Sequence, residues 1–194
     1  MKRLVSSILV LALAVAASAQ ENPLAKCARG DWAKYLVSLK NERVPLLSFK
    51  DAPRWVLVSS LGEGYVRTDS YVMFGNRRSN GGGNLYHTNE RYMPVPGIAK
   101  TAKIDVVSTS KEKLSIKDKQ YECSKVVMKI DQALDEKSVT PSWTGTSTLW
   151  ICEQLPLGLA KMENAYETKM SQKDKGQKVV ETWVIDEFGF KNWK

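Results

Sequence analysis

The sequence is poor in the residues that build metal centres and nucleophilic sites. Among its 194 residues there is one histidine, His87, and there are three cysteines, Cys27, Cys123 and Cys152. No two cysteines stand close enough for a Cys-x-x-Cys pair. Structural zinc generally draws four ligands from Cys and His, so no metal and no cofactor is expected. A serine nucleophile would need His87 as its base and a third group to orient it. No Gly-x-Ser-x-Gly elbow presents such a serine. Glu163 and Glu181 are carboxylates that neighbouring strands could bring together, as a retaining glycosidase requires, but so are many structural pairs. The expectation is a non-enzymatic protein, with a hydrolase of unrecognised arrangement as the remote alternative.

Blocks of like charge are missing too. Lysines are interleaved with acids, as in Lys111-Glu112-Lys113 and Lys117-Asp118-Lys119. A nucleic-acid binder gathers its cations on one face, so no nucleic acid is expected. The glycine-rich stretch Gly75-Asn76-Arg77-Arg78-Ser79-Asn80-Gly81-Gly82-Gly83-Asn84 lacks the Lys-Ser/Thr ending of a phosphate-binding loop. With almost nothing to bury, it reads as a mobile loop. Met93-Pro94-Val95-Pro96-Gly97 reads as a stiffer one, because each proline fixes φ and restricts the residue before it.

One apolar run is present, at the amino terminus. Met1-Lys2-Arg3 precedes apolar residues 4–17, and Ala17-Ser18-Ala19 supplies small residues for cleavage. This is the pattern of a secretory signal, residues 1–19, with cleavage leaving Gln20 first. The run is interrupted by Ser6 and Ser7 and falls short of the ~20 apolar residues of a membrane span. No second such run follows, so no integral membrane segment is expected after cleavage. Lys26 before Cys27 argues against lipidation there. The expected location is the periplasm or the exterior, and the net charge falls from +8 to +6 once Lys2 and Arg3 are removed.

Residues 20–194 have the length of one domain with a continuous core. A hydrophobic content of 43% and six tryptophans exclude disorder. Short runs of Val, Ile, Tyr, Trp and Thr, punctuated by Gly, Pro, Asn and Asp, predict strands at 32–39, 54–61, 65–74, 102–108, 120–130, 146–152, 159–168 and 178–186. Residues 111–116 are a further short candidate. No stretch of ten or more residues holds a convincing helical period.

The carboxy-terminal half permits a sharper deduction. If 120–130 and 146–152 pair antiparallel with opposed numbers summing to 275, Cys123 faces Cys152 and Lys125 faces Trp150. Val126, Met128, Ile130, Leu149 and Ile151 then share the other face. A slip of one residue would turn every side chain over. In an exported chain, three cysteines point to one disulfide and one leftover. This register favours Cys123–Cys152, while pairings with Cys27 stay open. Turns at Leu155-Pro156-Leu157-Gly158 and Asp174-Lys175-Gly176-Gln177 would complete a four-stranded meander. In its last strand Val179, Glu181, Trp183 and Ile185 alternate with Val180, Thr182 and Val184. Trp150 and Trp183 are either plain core or the wall of a cavity.

The meander, the signal and the stretch Leu149-Trp150-Ile151-Cys152-Glu153-Gln154-Leu155-Pro156-Leu157-Gly158-Leu159-Ala160-Lys161-Met162-Glu163 resemble exported bacterial proteins with a lipoprotein-carrier-like (Lol-type) fold. The likeness covers about residues 120–190 and transfers no individual residue's role. It implies an unclosed β-barrel around an apolar cavity, often beneath a helical lid. The expected fold is mainly β, a single curved antiparallel sheet forming a half-open barrel. A closed lipocalin-like barrel or a β-sandwich is the alternative. The expected function is a non-catalytic envelope protein that binds a lipid-like or other apolar ligand. Trp150, Trp183, Val126, Met128, Leu149 and Ile151 are its candidate cavity residues. The alternative is an envelope scaffold whose protein partner docks on a strand edge or on residues 75–84.

Overall fold

A computed structural model describes residues 22–74, 77–137 and 139–190, with the side chains of residues 73, 74, 77 and 78 left aside. The proposed signal, residues 1–19, lies outside the described residues. Nine strands form one sheet: β1 Trp32–Asn41, β2 Phe49–Gly62, β3 Tyr65–Phe74, β4 Arg77–His87, β5 Lys103–Ile116, β6 Lys119–Gln132, β7 Trp143–Ile151, β8 Leu159–Thr168 and β9 Gln177–Gly189. Their spatial order is β4-β3-β2-β1-β9-β8-β7-β6-β5, with every neighbouring pair antiparallel. Two meanders, β1–β4 and β5–β9, are thus zipped together where β1 pairs with β9. The sheet is curved and does not close, leaving β4 and β5 as its edges, so the chain is mainly β with a half-open barrel.

The register deduced for the carboxy-terminal half is the one observed. Ser124 pairs with Ile151, Lys125 with Trp150, Val126 with Leu149 and Val127 with Thr148. Continuing across the sheet, Leu149 opposes Met162, Met162 opposes Trp183, and Trp183 opposes Val37. All five side chains in this row, including Val126, are buried. Burying an aliphatic side chain of this size stabilises by about 1.5–3 kcal/mol, which is why the register is firmly set.

Residues 88–102, which connect β4 to β5, run from one sheet edge to the other. Tyr92 and Val95 of this strap belong to the buried core. Gln132 on β6 fastens it: its side-chain oxygen accepts from Ala99 N at 2.6 Å, and its Nε2 donates to Gly97 O at 3.1 Å. Among the described residues there is no α-helix, so the connection over the sheet is irregular chain rather than a helical lid. Ahead of β1, residues Pro23–Lys26 form one 3-10 turn. Pro23 packs on the β7–β8 turn so closely that a Cβ on Gly158 would lie 2.3 Å from the proline ring. Gly158 also has φ +71°, so both space and backbone conformation demand glycine.

Two expectations need correction. Most of the glycine-rich stretch is strand rather than loop: residues 77–87 pair with β3, from Phe74↔Arg77 to Tyr65↔His87. Glycine shows no alternation, yet its backbone donors and acceptors pair like any others. The Cys123–Cys152 disulfide is not formed, and all three cysteines are free thiols. The two buried thiols do lie next to each other, beside the Ser124↔Ile151 pair, without a covalent bond; Cys123 Sγ points to Tyr121 O and Cys152 Sγ to Gln154 Oε1.

Candidate functional site

Because β-strand side chains alternate, each cross-strand row belongs to one face. The buried face of β1–β4 presents Tyr35, Arg54, Val56, Thr68, Ser70 and Tyr86 towards the strap. Between them lies a cavity of about 190 Å³. For comparison, an apolar cavity of about 150 Å³ accepts benzene. Trp183 of β9 and Tyr35 of β1 form one wall, with ring centroids 5.6 Å apart. Tyr92, Pro94 and Pro96 of the strap form the cover, and Leu24, Leu157 and Leu159 close an end. The opposite wall is the glycine segment of β4, where Gly82, Gly83 and Asn84 are exposed. At this wall the cavity meets solvent.

Arg54 is the cation of this chamber. Its guanidinium lies 4.9 Å from the centroid of the Trp183 ring, and Nη2 donates to Gly81 O at 3.0 Å and, at a long 3.4 Å, to Ser70 Oγ. Its Nε is buried without a hydrogen-bond partner. An unsatisfied buried donor costs about 1–3 kcal/mol, more when charged. Gly81 is part of the same arrangement. It is the extra residue of a β-bulge between Ser70↔Gly82 and Tyr71↔Asn80. A Cβ there would stand 2.7 Å from Ser70 Oγ and 3.3 Å from Arg54 Nη2.

The chamber's electrostatics follow from burial. Desolvation lowers the Arg54 pKa, while Glu181 and Tyr86 oppose that shift, and a guanidinium stays protonated in proteins regardless. Burial pushes the Tyr86 phenol up to about 12 despite hydrogen bonds from Thr68 and Asn84, and raises Tyr35 and Tyr92 as well. All three phenols are neutral at pH 7. Tyr35 donates to Leu159 O at 3.1 Å. Glu181 is buried at the edge of the Trp183 indole. One of its oxygens accepts from Trp183 Nε1 at 2.8 Å and the other from Asn164 Nδ2 at 3.0 Å. Ser147 Oγ and Asn164 Oδ1 also lack partners, but neither residue lines the cavity.

Of the six residues expected at a cavity, Trp183 alone lines it. Val126, Met128, Leu149 and Ile151 share its face but are packed into the filled core of β6–β7. Trp150 points to the outer face. There its ring is sandwiched by the ammonium groups of Lys125, 5.0 Å from the centroid, and Lys161, 4.6 Å away, and its Nε1 donates to Glu112 at 3.1 Å. Glu163 and Glu181 lie on opposite faces, since Glu163 opposes Thr182, so they cannot flank one substrate. His87 ends β4, half-buried. Cys27 donates from Sγ to Pro156 O at 2.7 Å, and burial beside Asp31 raises its thiol to about 12. Among the described residues no cluster of three His, Cys, Asp or Glu is placed to hold a metal ion, and no helix is long and apolar enough to cross a membrane.

No family model, curated protein or solved structure matches this chain. Sequence reasoning missed Arg54, Tyr35, Tyr86 and the strap. A signal for Arg54 did exist: it shares strand parity with Val56 and Val58, so a cation stands in an inward row.

Proposed function

We propose that the protein is an exported binding protein of the cell envelope that holds a small apolar ligand, or the apolar end of a larger one, in the chamber beneath the strap. The observation that carries this reading is the chamber itself: an aromatic-walled space on the inner face of an unclosed sheet, with one wall of exposed glycines. Pockets for drug-sized ligands run to about 300–1,000 Å³, so about 190 Å³ suits a ring or a short chain. The Lol-type resemblance supports the same kind of function, since those carriers bury acyl groups within an unclosed barrel. Purification from the native host, solvent extraction and mass spectrometry test the reading. The expected result is a stoichiometric amphiphile; a protein that yields none and binds no short-chain alcohol or acid overturns it. Sequencing of the mature protein should begin at Gln20, as export requires. In an oxidising compartment a thiol–disulfide oxidant would accept two electrons and two protons from Cys123 and Cys152, leaving the bond that peptide mapping should find.

One observation favours a second reading, an envelope scaffold. β4 pairs only with β3 among the described strands, and its glycine run leaves a sheet edge to which a partner's strand can add. Crosslinking in the native host should then capture a protein through residues of β4, whereas a lone monomer argues against it.

A further inference from the structure

We infer that the buried end of the ligand carries a carboxylate, and that Arg54 is the group that selects it. This rests on the reading above that the chamber takes a ligand. It goes further by naming the polar chemistry at the ligand's end.

Several features of the site converge. Arg54 is the cation that lines the chamber. A guanidinium N–H on a carboxylate oxygen makes a charge-assisted hydrogen bond, stronger than one on a neutral oxygen. Nη2 is anchored by Gly81 O at 3.0 Å, while its 3.4 Å contact to Ser70 is long enough for a carboxylate oxygen to replace it. Glu181 does not supply this partner: its two oxygens accept from Trp183 and Asn164, and it acts on Arg54 through space. Trp183, Val56 and Tyr92 line the same chamber as the guanidinium, and an apolar lining strengthens a charge-assisted bond.

Tyr86, Tyr92 and Tyr35 remain neutral, so no second charge in the lining competes for the anion. A carboxylate on a short aliphatic or aromatic body would place its oxygens on Arg54 and its carbons against Trp183 and the strap. Gly81 is needed for this seat, because a side chain there would press on both Ser70 and Arg54.

The test is calorimetric titration of the full protein with sodium hexanoate, sodium benzoate and 1-hexanol at pH 7. A carboxylate should bind about tenfold more tightly than the alcohol, the difference between a charge-assisted and a neutral hydrogen bond. Whether hexanoate or benzoate binds better assigns the body as chain or ring, and either result supports the inference. The preference should vanish as pH falls below the ordinary carboxyl range of about 4–5, where the ligand is neutralised. Arg54→Met should abolish it, and Arg54→Lys should retain part of it. Equal affinity of wild type for hexanoate and 1-hexanol overturns the inference while leaving the apolar-binding reading intact. Binding of none of the three overturns both. The wild-type comparison stands alone should Arg54→Met fail to fold.

Discussion

Trp150 and Trp183 stand on strands separated only by β8, and each is almost completely buried, at 4% and 7% exposure. Their surroundings are opposite. Trp150 is covered from outside by Lys125 and Lys161, whose ammonium groups lie over its ring in cation–π contact. Trp183 is covered from inside by Tyr35 and the Arg54 guanidinium, and it borders the chamber. Burial therefore does not reveal the role of an aromatic residue in a curved sheet; its row does. The same contrast separates the halves of the sheet. Under β6–β8 the inner face is filled by Met128, Leu149 and Met162, whereas under β2–β4 small and polar residues leave it hollow.

The largest effect should come from the filled half. Met162 lies in the ladder between Leu149 and Trp183. Met162→Ala should cost about 2–5 kcal/mol of unfolding free energy in urea titrations, and a near-neutral result would mean that this half is not close-packed. Next comes the thiol pair on the same side. Linking Cys123 to Cys152 closes a loop of about 30 residues and should add roughly 3.5 kcal/mol. Urea midpoints with and without reductant measure this difference, and Cys152→Ser should erase it. The proximity of the two thiols favours reaction, because the neighbouring Cys123 lowers the Cys152 pKa while Cys123 itself is held protonated.

A matched pair of substitutions tests the two tryptophans directly. Trp183→Phe leaves a buried Glu181 oxygen without its donor, which should cost about 1–3 kcal/mol and weaken ligand binding. Trp150→Phe should be milder and leave binding unchanged, since its partner Glu112 is only half-buried and Trp150 does not line the chamber. Equal effects on binding would dissolve the distinction between inner and outer rows.

The smallest effect concerns pH. The hydrogen bond from Trp150, then Lys125 and Lys161, holds the Glu112 carboxyl below the ordinary value of 4.5. A depressed carboxyl contributes stability above its unfolded value and loses it as pH falls through the folded one. Acid titration of stability should therefore be slightly steeper for wild type than for Glu112→Gln.

Legibility in the sequence followed from how many independent constraints met at a position. The β6–β7 register was readable because five apolar residues and two cysteines demanded the same offset. Strand β3, residues 65–74, was readable because Tyr, Val and Thr recur in a run bounded by Gly64 and Gly75. The candidates 102–108 and 111–116 proved to be one strand, β5, divided by a bulge at Val107 that reverses the alternation. β4 was hidden because glycine carries no hydrophobic signal. The chamber was hidden for a different reason. It exists only where β1 meets β9 and the strap returns over both, and no local pattern encodes that meeting. Arg54 consequently looked like one more surface cation in a mixed stretch.

The β1–β9 ladder also dictates an order of events during synthesis. Every other strand pair joins neighbours along the chain, so each can assemble soon after it is made. The ten residues of β1, however, find their second partner only in β9, roughly 150 positions later. Closing so long a loop slows folding more than any local hairpin does. The nascent polypeptide must keep one flank of β1 unsatisfied until its last strand arrives, and throughout that interval the flank is open to wrong partners.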